Sequence, residues 1–297
     1  MSRTDNTVQR FIFENTDIRG EIVSLNSSYV DALAAHDYPE VVRHLLGELI
    51  ASAVLLSTTL KFDGLLTLQA RGDGPLTLLM VECTDQRSFR AVAQFRDDIT
   101  DAPLQALLGK ASLLITVDPV KGKRYQGIVP LEKETLAASL EDYFAQSVQL
   151  QTRLWLACDG QTSTGLLLQA LPASTELSPD IRNESWQRVT ALAETVATDE
   201  LLDLGHETLL FRLFHEEAVR VFEQEQVGFV CTCSWQRSAK IISTLDRREI
   251  DAIIEEEGQV AMDCQFCNHQ YTFTKEDIEA IYEQRYDPNR NEKPQLH

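Results

Sequence analysis

Positive charge is what this sequence has least of for its size. Its 297 residues carry 27 Lys and Arg against 46 Asp and Glu, a formal net charge of −19. Such a surface repels phosphate backbones and lacks the clustered cations that nucleic acids demand, which argues against a nucleic-acid partner. Cysteine is scarce as well, at six residues, too few for a disulfide-built secreted scaffold. Met1 to Asn6 is polar and lacks the apolar core of a signal peptide. The longest apolar run, Leu45 to Leu60, contains Glu48 and several hydroxyl residues, and reads as too short and too polar to cross a bilayer. A reducing cytoplasmic location without a membrane partner is expected, and there paired cysteines mean metal or regulation more often than bridges.

Catalytic motifs are missing too. There is no G-x-S-x-G and no H-E-x-x-H, and Gly72 and Gly74 begin a G-x-G with no third glycine in place. Gly109-Lys110 is followed by Ala111, which defeats a phosphate loop. His215 has no second histidine four residues on and reads as a helix-surface or interface residue. Cys83 and Cys158 lie in apolar, strand-like stretches and read as small core residues. An enzyme is not expected.

What the sequence does have is two close cysteine pairs, Cys231-Thr232-Cys233 and Cys264-Gln265-Phe266-Cys267. Four thiolates from two such pairs make a closed tetrahedral shell for Zn2+, the structural kind of site with no open position for catalytic water. His269 is a minor competitor for the metal. The C-x2-C half is an ordinary knuckle, whereas C-x-C leaves little backbone to wrap an ion. The same thiolates react with oxidants. A C-x-C disulfide would be a small, strained and easily reduced ring, and a C-x2-C disulfide a roomier one. Spacing leaves open a permanent zinc staple and a zinc-held redox switch.

The rest of the chain reads as an α+β fold with largely antiparallel sheet. Strands are predicted over 8–13 and 18–25, a short helix over 26–37, and a long apolar helix opened by Pro39. Strands over 65–70 and 76–82 flank the turn Arg71-Gly72-Asp73-Gly74-Pro75, with another strand over 89–95. A strand pair follows over 111–117 and 124–129, then a helix over 132–147 and strands over 150–158 and 165–171. Hairpin-linked strands with few helices predict antiparallel pairing. The expected organisation is a core domain over 1–175, an acidic helical linker over 176–230, and a four-cysteine domain over 231–297.

Residues 176 to 230 hold four arginines, no lysine and twelve acidic residues, a net of −8. Ser178-Pro179-Asp180 is a helix start of cap, proline and acid. Trp186, Val189, Leu192, Ala193 and Val196 make one apolar stripe; Leu209, Leu210, Leu213 and Phe214 make another. Two readings stand: an acidic helical spacer, or a segment whose like charges weaken it and whose apolar stripes need a surface to cover. Residues 231 to 297 carry 8 basic and 13 acidic residues, a net of −5. Helices are expected over 238–257 and 275–285, a strand over 270–273, and a polar tail from Asp287 on. This thin core should depend on its metal.

The residues also carry a family likeness. Cys231-Thr232-Cys233-Ser234-Trp235 and Cys264-Gln265-Phe266-Cys267-Asn268 resemble the bacterial redox-regulated heat-shock protein 33 family. So do Leu60-Lys61-Phe62-Asp63-Gly64, Gln69 to Pro75, Gly127-Ile128-Val129-Pro130-Leu131 and Phe214-His215-Glu216-Glu217. The resemblance implies a cytoplasmic, ATP-independent holdase that is inactive when reduced and zinc-bound. It implies one zinc on Cys231, Cys233, Cys264 and Cys267, and disulfides Cys231–Cys233 and Cys264–Cys267 after oxidation. It further implies unfolding of the C-terminal region and linker, homodimers on activation, unfolding or oxidatively damaged client proteins, and later hand-over to ATP-driven foldases. Trp186, Leu192, Leu209, Leu213 and Phe214 are the linker residues expected to switch between covered and exposed. The alternative is a constitutive zinc-ribbon module for protein interaction, without redox switching.

Overall fold

A computed structural model describes residues 6–59, 62–173 and 177–283. The chain divides into two compact units, the first running to Phe229 apart from Ala34–His36, which group with the second, and the second beginning at Val230.

The first unit opens with β1 (Thr7–Phe13) and β2 (Ile18–Leu25), joined by a turn in which Asn15 takes a left-handed φ of 59°. Side chains alternate across a strand, so this hairpin feeds two separate cores. Phe11, Phe13, Ile18 and Ile22 face one way, and Val8, Val23 and Leu25 the other. The short α1 (Ser27–Leu33) leads to α2 (Glu40–Thr59). The run read as too short and too polar to cross a bilayer belongs to α2, which at 20 residues is long and apolar enough to do so by length and composition; the helix is mostly buried, packed on strands of two different sheets. It is the core helix of this unit.

β3 (Gly64–Arg71), β4 (Leu76–Thr84) and β5 (Ser88–Phe95) form a meander. The glycine-rich turn between β3 and β4 closes on α3 (Leu104–Leu108). There the Gly74 N–H donates to the Leu108 carbonyl at 3.0 Å, and a Cβ on Gly72 would collide with that same carbonyl. The G-x-G pair is therefore explained by close backbone approach. β6 (Ser112–Pro119) and β7 (Tyr125–Pro130) follow, then α4 (Leu136–Tyr143), which widens into a π-type turn to Val148. β8 (Thr152–Cys158) and β9 (Ser163–Ala170) close the series.

Three helices come next: α5 (Pro179–Ala193), α6 (Thr198–Asp203) and α7 (His206–Phe214). The Ser178 side chain caps α5, accepting from the Ile181 N–H, with Pro179 in the first turn. The chain then turns extended, into β10 (Val219–Gln226) and the two-residue β11 (Gly228–Phe229). One sheet has the strand order β10-β1-β2-β9-β8 and the other β11-β5-β4-β3-β6-β7. Every pairing is antiparallel except that of β11 with β5. The α+β, largely antiparallel architecture is as expected.

The second unit holds α8 (Trp235–Ile242), α9 (Arg247–Glu257), the hairpin β12 (Val260–Asp263) and β13 (Gln270–Phe273), and α10 (Lys275–Tyr282). Its core is small: Trp235 against Phe273 at a ring separation of 5.0 Å, with Ile242, Ile250, Ile278 and Ile281 around them.

Several local expectations need correction. The helix expected over 238–257 is two helices, broken where Asp246 caps α9 by accepting from the Arg248 N–H. The helix expected over 132–147 starts only at Leu136, because Thr135 caps it. The segment over 176–230 is helical only to Phe214. Val219 to Gln226 begins with the β-branched and aromatic residues Val219, Val221 and Phe222, forms a strand, and extends the first sheet at its β1 edge. The end of the closing helix at Arg285 and the tail from Asp287 lie outside the described residues.

Candidate functional site

The four paired cysteines converge. Their Sγ atoms all lie within 4.8 Å of one another. The shortest approaches run across the pairs, Cys231 to Cys264 at 3.6 Å and Cys233 to Cys267 at 3.5 Å. A tetrahedral shell with metal–sulfur bonds of about 2.3 Å needs sulfurs about 3.8 Å apart, so these residues could hold a metal ion.

Local structure explains the convergence. The β12–β13 hairpin ends in the C-x2-C knuckle, where Asn268 adopts a left-handed φ of 54°, a conformation asparagine tolerates better than most residues. The Cys264 N–H donates to the His269 carbonyl at 2.9 Å, and the Asn268 N–H donates to the Cys264 carbonyl at 2.8 Å. The C-x-C half has no regular secondary structure and stops at Ser234, which caps α8 by accepting from the Arg237 N–H. Arg237 Nη1 also donates to Thr232 Oγ1 at 2.5 Å, bracing the residue between the two cysteines.

The electrostatics are those of a site that could hold a cation. The neighbouring Cys231 thiol and then burial push the Cys264 thiol up to about 12. Burial leads the causes that push Cys267 up to about 11. Four sulfurs this close cannot all ionise without a positive charge among them. The Tyr271 hydroxyl donates to Cys233 Sγ at 3.2 Å, a partner the cysteine spacing could not announce. His269 is outside the sulfur cluster, and its ring lies 4.6 Å from that of Tyr271. Cys83 is buried in the core of the first unit, and Cys158 is half-buried at its margin.

The apolar stripes of residues 177–214 lie on the first sheet. Leu209, Leu213 and Phe214 are buried there with Val189, Ala193, Leu201 and Leu210, against Phe11, Phe13, Ile18, Ile22, Leu166 and Leu168. Phe214 meets Phe13 edge-on at 4.9 Å. Trp186 and Leu192 are half-buried at the rim of the same cluster. Arg182 reaches Asp17 at 2.8 Å, and Arg153 reaches Glu194 at 3.0 Å.

One participant was missed in the sequence. His206 opens α7 and is 1% exposed. Its Nε2 lies 3.1 Å from Ser24 Oγ, while Nδ1 has no partner. Burial pushes its pKa down to about 4. Glu48 of α2 lines a cavity of about 240 Å³ beneath Val196, Thr198 and Leu201, and burial pushes its pKa up to about 7. A lone histidine after a glycine carries no signal in sequence; only the fold shows that it is covered.

With this geometry in hand, comparison with known proteins is direct. The family model described as Hsp33 protein matches residues 6–274. The 33 kDa chaperonin of Pseudomonas aeruginosa (strain LESB58) is 50% identical over 285 residues, covering 95% of this chain and 96% of its own. That of Azotobacter vinelandii is 48% identical over 277 residues, covering 92% and 93%. The crystal structure of the Thermotoga maritima 33 kDa chaperonin superposes with a TM-score of 0.80 at 19% identity, covering 94% of this chain and 99% of that one. A closed four-cysteine cluster, an apolar sheet face roofed by acidic helices, and matches over nearly the whole length agree: the chain belongs to the Hsp33 family of chaperones.

Proposed function

We propose that this protein is a redox-regulated, ATP-independent holdase, inactive while reduced and zinc-bound. The carrying observation is the apolar face of the first sheet roofed by α5, α6 and α7. The covering segment runs on through β10 and β11 directly into Cys231, so roof and sulfur cluster are consecutive in the chain. Functionally the chain divides into a core over 1–175, a linker over 176–230 and a sensor over 231–297.

Cys231, Cys233, Cys264 and Cys267 would hold one Zn2+, which supplies folding free energy of about 10–16 kcal/mol in small modules of this kind. That is comparable to the whole stability of a typical domain, about 5–15 kcal/mol. Oxidation by a peroxide closes Cys231–Cys233 and Cys264–Cys267. Forming each bridge gives two electrons to one hydrogen peroxide, which takes up two protons and leaves as two waters. The sulfurs then no longer bind metal, and the small core around Trp235 and Phe273 is too thin to persist alone. The linker loses its continuation, and Phe11, Phe13, Ile18 and Ile22 become available to apolar segments of unfolding proteins. Activated chains act as homodimers in the cytoplasm and pass clients to ATP-driven foldases.

The test is aggregation suppression measured beside zinc content, with and without peroxide. Suppression should appear only after oxidation, with release of one zinc per chain and formation of the two within-pair bridges. Equal suppression before and after would identify a constitutive module.

A further inference from the structure

The strand edges of the two sheets are not alike. At the outer edge of the first sheet, β10 carries Arg220, Glu223 and Glu225 along its length. At the opposite edge, Arg153 of β8 is tied to Glu141 and Glu194. Charges placed in this way discourage foreign strands. β7, the outer strand of the second sheet beyond β6, has the sequence Tyr-Gln-Gly-Ile-Val-Pro and no charge at all.

The outward hydrogen-bonding groups of β7 can be assigned. The Leu131 N–H donates to the Ala111 carbonyl at 3.1 Å, and the β6–β7 register continues from Ser112↔Pro130 to Val117↔Tyr125. Antiparallel bonding alternates along a strand. Val129, Gly127 and Tyr125 therefore bond to β6, and Pro130, Ile128 and Gln126 direct their backbone groups outward. Pro130 at an outward position agrees, since its missing N–H costs no ladder bond. Among the described residues no backbone group pairs with that outer side. Ile128 is 68% exposed. The turn leading into the strand holds Lys121, Lys123 and Arg124, with Val120 exposed beside them and no acid from Pro119 to Arg124. In a chain of net charge −19, this is a local reversal of sign placed at the mouth of an open edge.

We propose that the outer edge of β7 and its basic turn dock extended, acid-bearing segments of unfolding proteins by strand addition in both redox states, a contact distinct from the aggregation suppression that needs the face under α5–α7. This inference rests on the holdase reading for the nature of the partner. An extended peptide satisfies the outward N–H and C=O groups, its apolar residues lie on Ile128, and acidic residues beyond the strand meet the three cations. A long polyanion fits less well. It cannot use the edge groups, it meets the repulsion of the whole molecule, and the Tyr125 hydroxyl is engaged with that of Tyr143 at 2.7 Å. The site is separate from the face under α5–α7, so it is available before oxidation.

The test uses the full chain, reduced and oxidised, with labelled peptides of alternating Thr and Val flanked by three Glu or by three Lys. The Glu-flanked peptide should bind in both redox states, about tenfold more tightly than the Lys-flanked one at low salt, and lose that advantage at high salt. Lys121→Glu with Lys123→Glu should reverse the preference. Added peptide should slow amide exchange at Gln126 and Ile128, a readout that needs no variant, and Ile128→Pro should abolish binding while leaving the β6 ladder intact. Equal binding of both peptides, or no protection at Gln126 and Ile128, overturns the proposal. So does displacement of the peptide by oligouridylate without strand protection, which would assign the turn to polyanions. Aggregation suppression by the same oxidised samples keeps the two readings apart. If suppression is present and peptide binding absent, only the edge inference fails; if suppression is absent and peptide binding present, only the holdase reading fails.

Discussion

The two faces of the five-stranded sheet are covered in opposite ways. One face meets α2, a single helix of 20 residues with Leu46, Leu49, Ile50, Ala53 and Val54 fully buried between this sheet and the other. The other face meets three shorter helices from a segment with a net charge of −8, with half-buried Trp186 and Leu192 at the rim. Both faces are apolar, so burial alone does not distinguish them. What differs is the cover: α2 is locked by two sheets, while α5–α7 are one layer thick and acidic.

The largest effect expected is from metal removal. A strong chelator at neutral pH should remove most of the roughly 10–16 kcal/mol that structural zinc supplies. Hydrogen exchange should then show loss of protection across α8–α10 and, with it, α5–α7, while amides of α2 stay protected. Equal loss on both faces would abolish the distinction.

Next come buried charges, one on each face. Leu213→Glu sets a carboxylate against Phe11 and Phe13, at a cost of several kcal/mol unless the helix leaves. Limited proteolysis should cut residues 177–214 of the reduced, zinc-loaded variant, which should suppress client aggregation without oxidant. Ile50→Glu on α2 should instead unfold the first unit as a whole, seen as loss of its cooperative thermal transition. If the Leu213 variant keeps zinc, exposes its linker and still fails to suppress aggregation, the sensor unit rather than the roof is the inhibitory element.

Acid should loosen only the linker face. The pKa of His206 falls on burial from 6.5 to about 4, so the docked state binds fewer protons than the free one. Its contribution is intact above about pH 6.5 and falls as pH drops toward 4, by up to about 3 kcal/mol. Glu48, raised from 4.5 to about 7, has the opposite sign: its contribution is complete below about 4.5 and lost as pH rises through 7. Linker protection at pH 5 relative to pH 7.5 should therefore improve in His206→Asn and worsen in Glu48→Gln. The smallest effect is expected for Arg182→Ala, which removes the tie to Asp17 and the bond to the Leu171 carbonyl at 3.0 Å. About 1 kcal/mol is expected, read as faster exchange confined to α5.

The parts of this molecule legible in sequence were those set by local pattern. The glycine-rich turn at 71–75, the Ser178-Pro179 helix start and the strands 18–25 and 89–95 lie where short-range chemistry put them. Val219 to Gln226 escaped because α7 precedes it and its second half, Glu223 to Gln226, is all polar, so only pairing with the edge of β1 makes it a strand. The break between α8 and α9 escaped because Ser243 to Asp246 is too short to interrupt a charged, helix-compatible run. At the candidate site the four cysteines were legible, whereas Tyr271 and His206 were not, since neither has a partner near it in the chain.

The spacing of the cysteines, the acidic excess of the linker and its two apolar stripes were fixed by sequence alone, because each depends only on which residues stand how far apart. Which sheet face those stripes cover, which sulfurs approach most closely and which histidine is sealed beneath a helix were decided by the tertiary structure. Those are properties of surfaces brought together across the chain, from Phe13 to Phe214 and from Ser24 to His206, and local spacing carries no record of them.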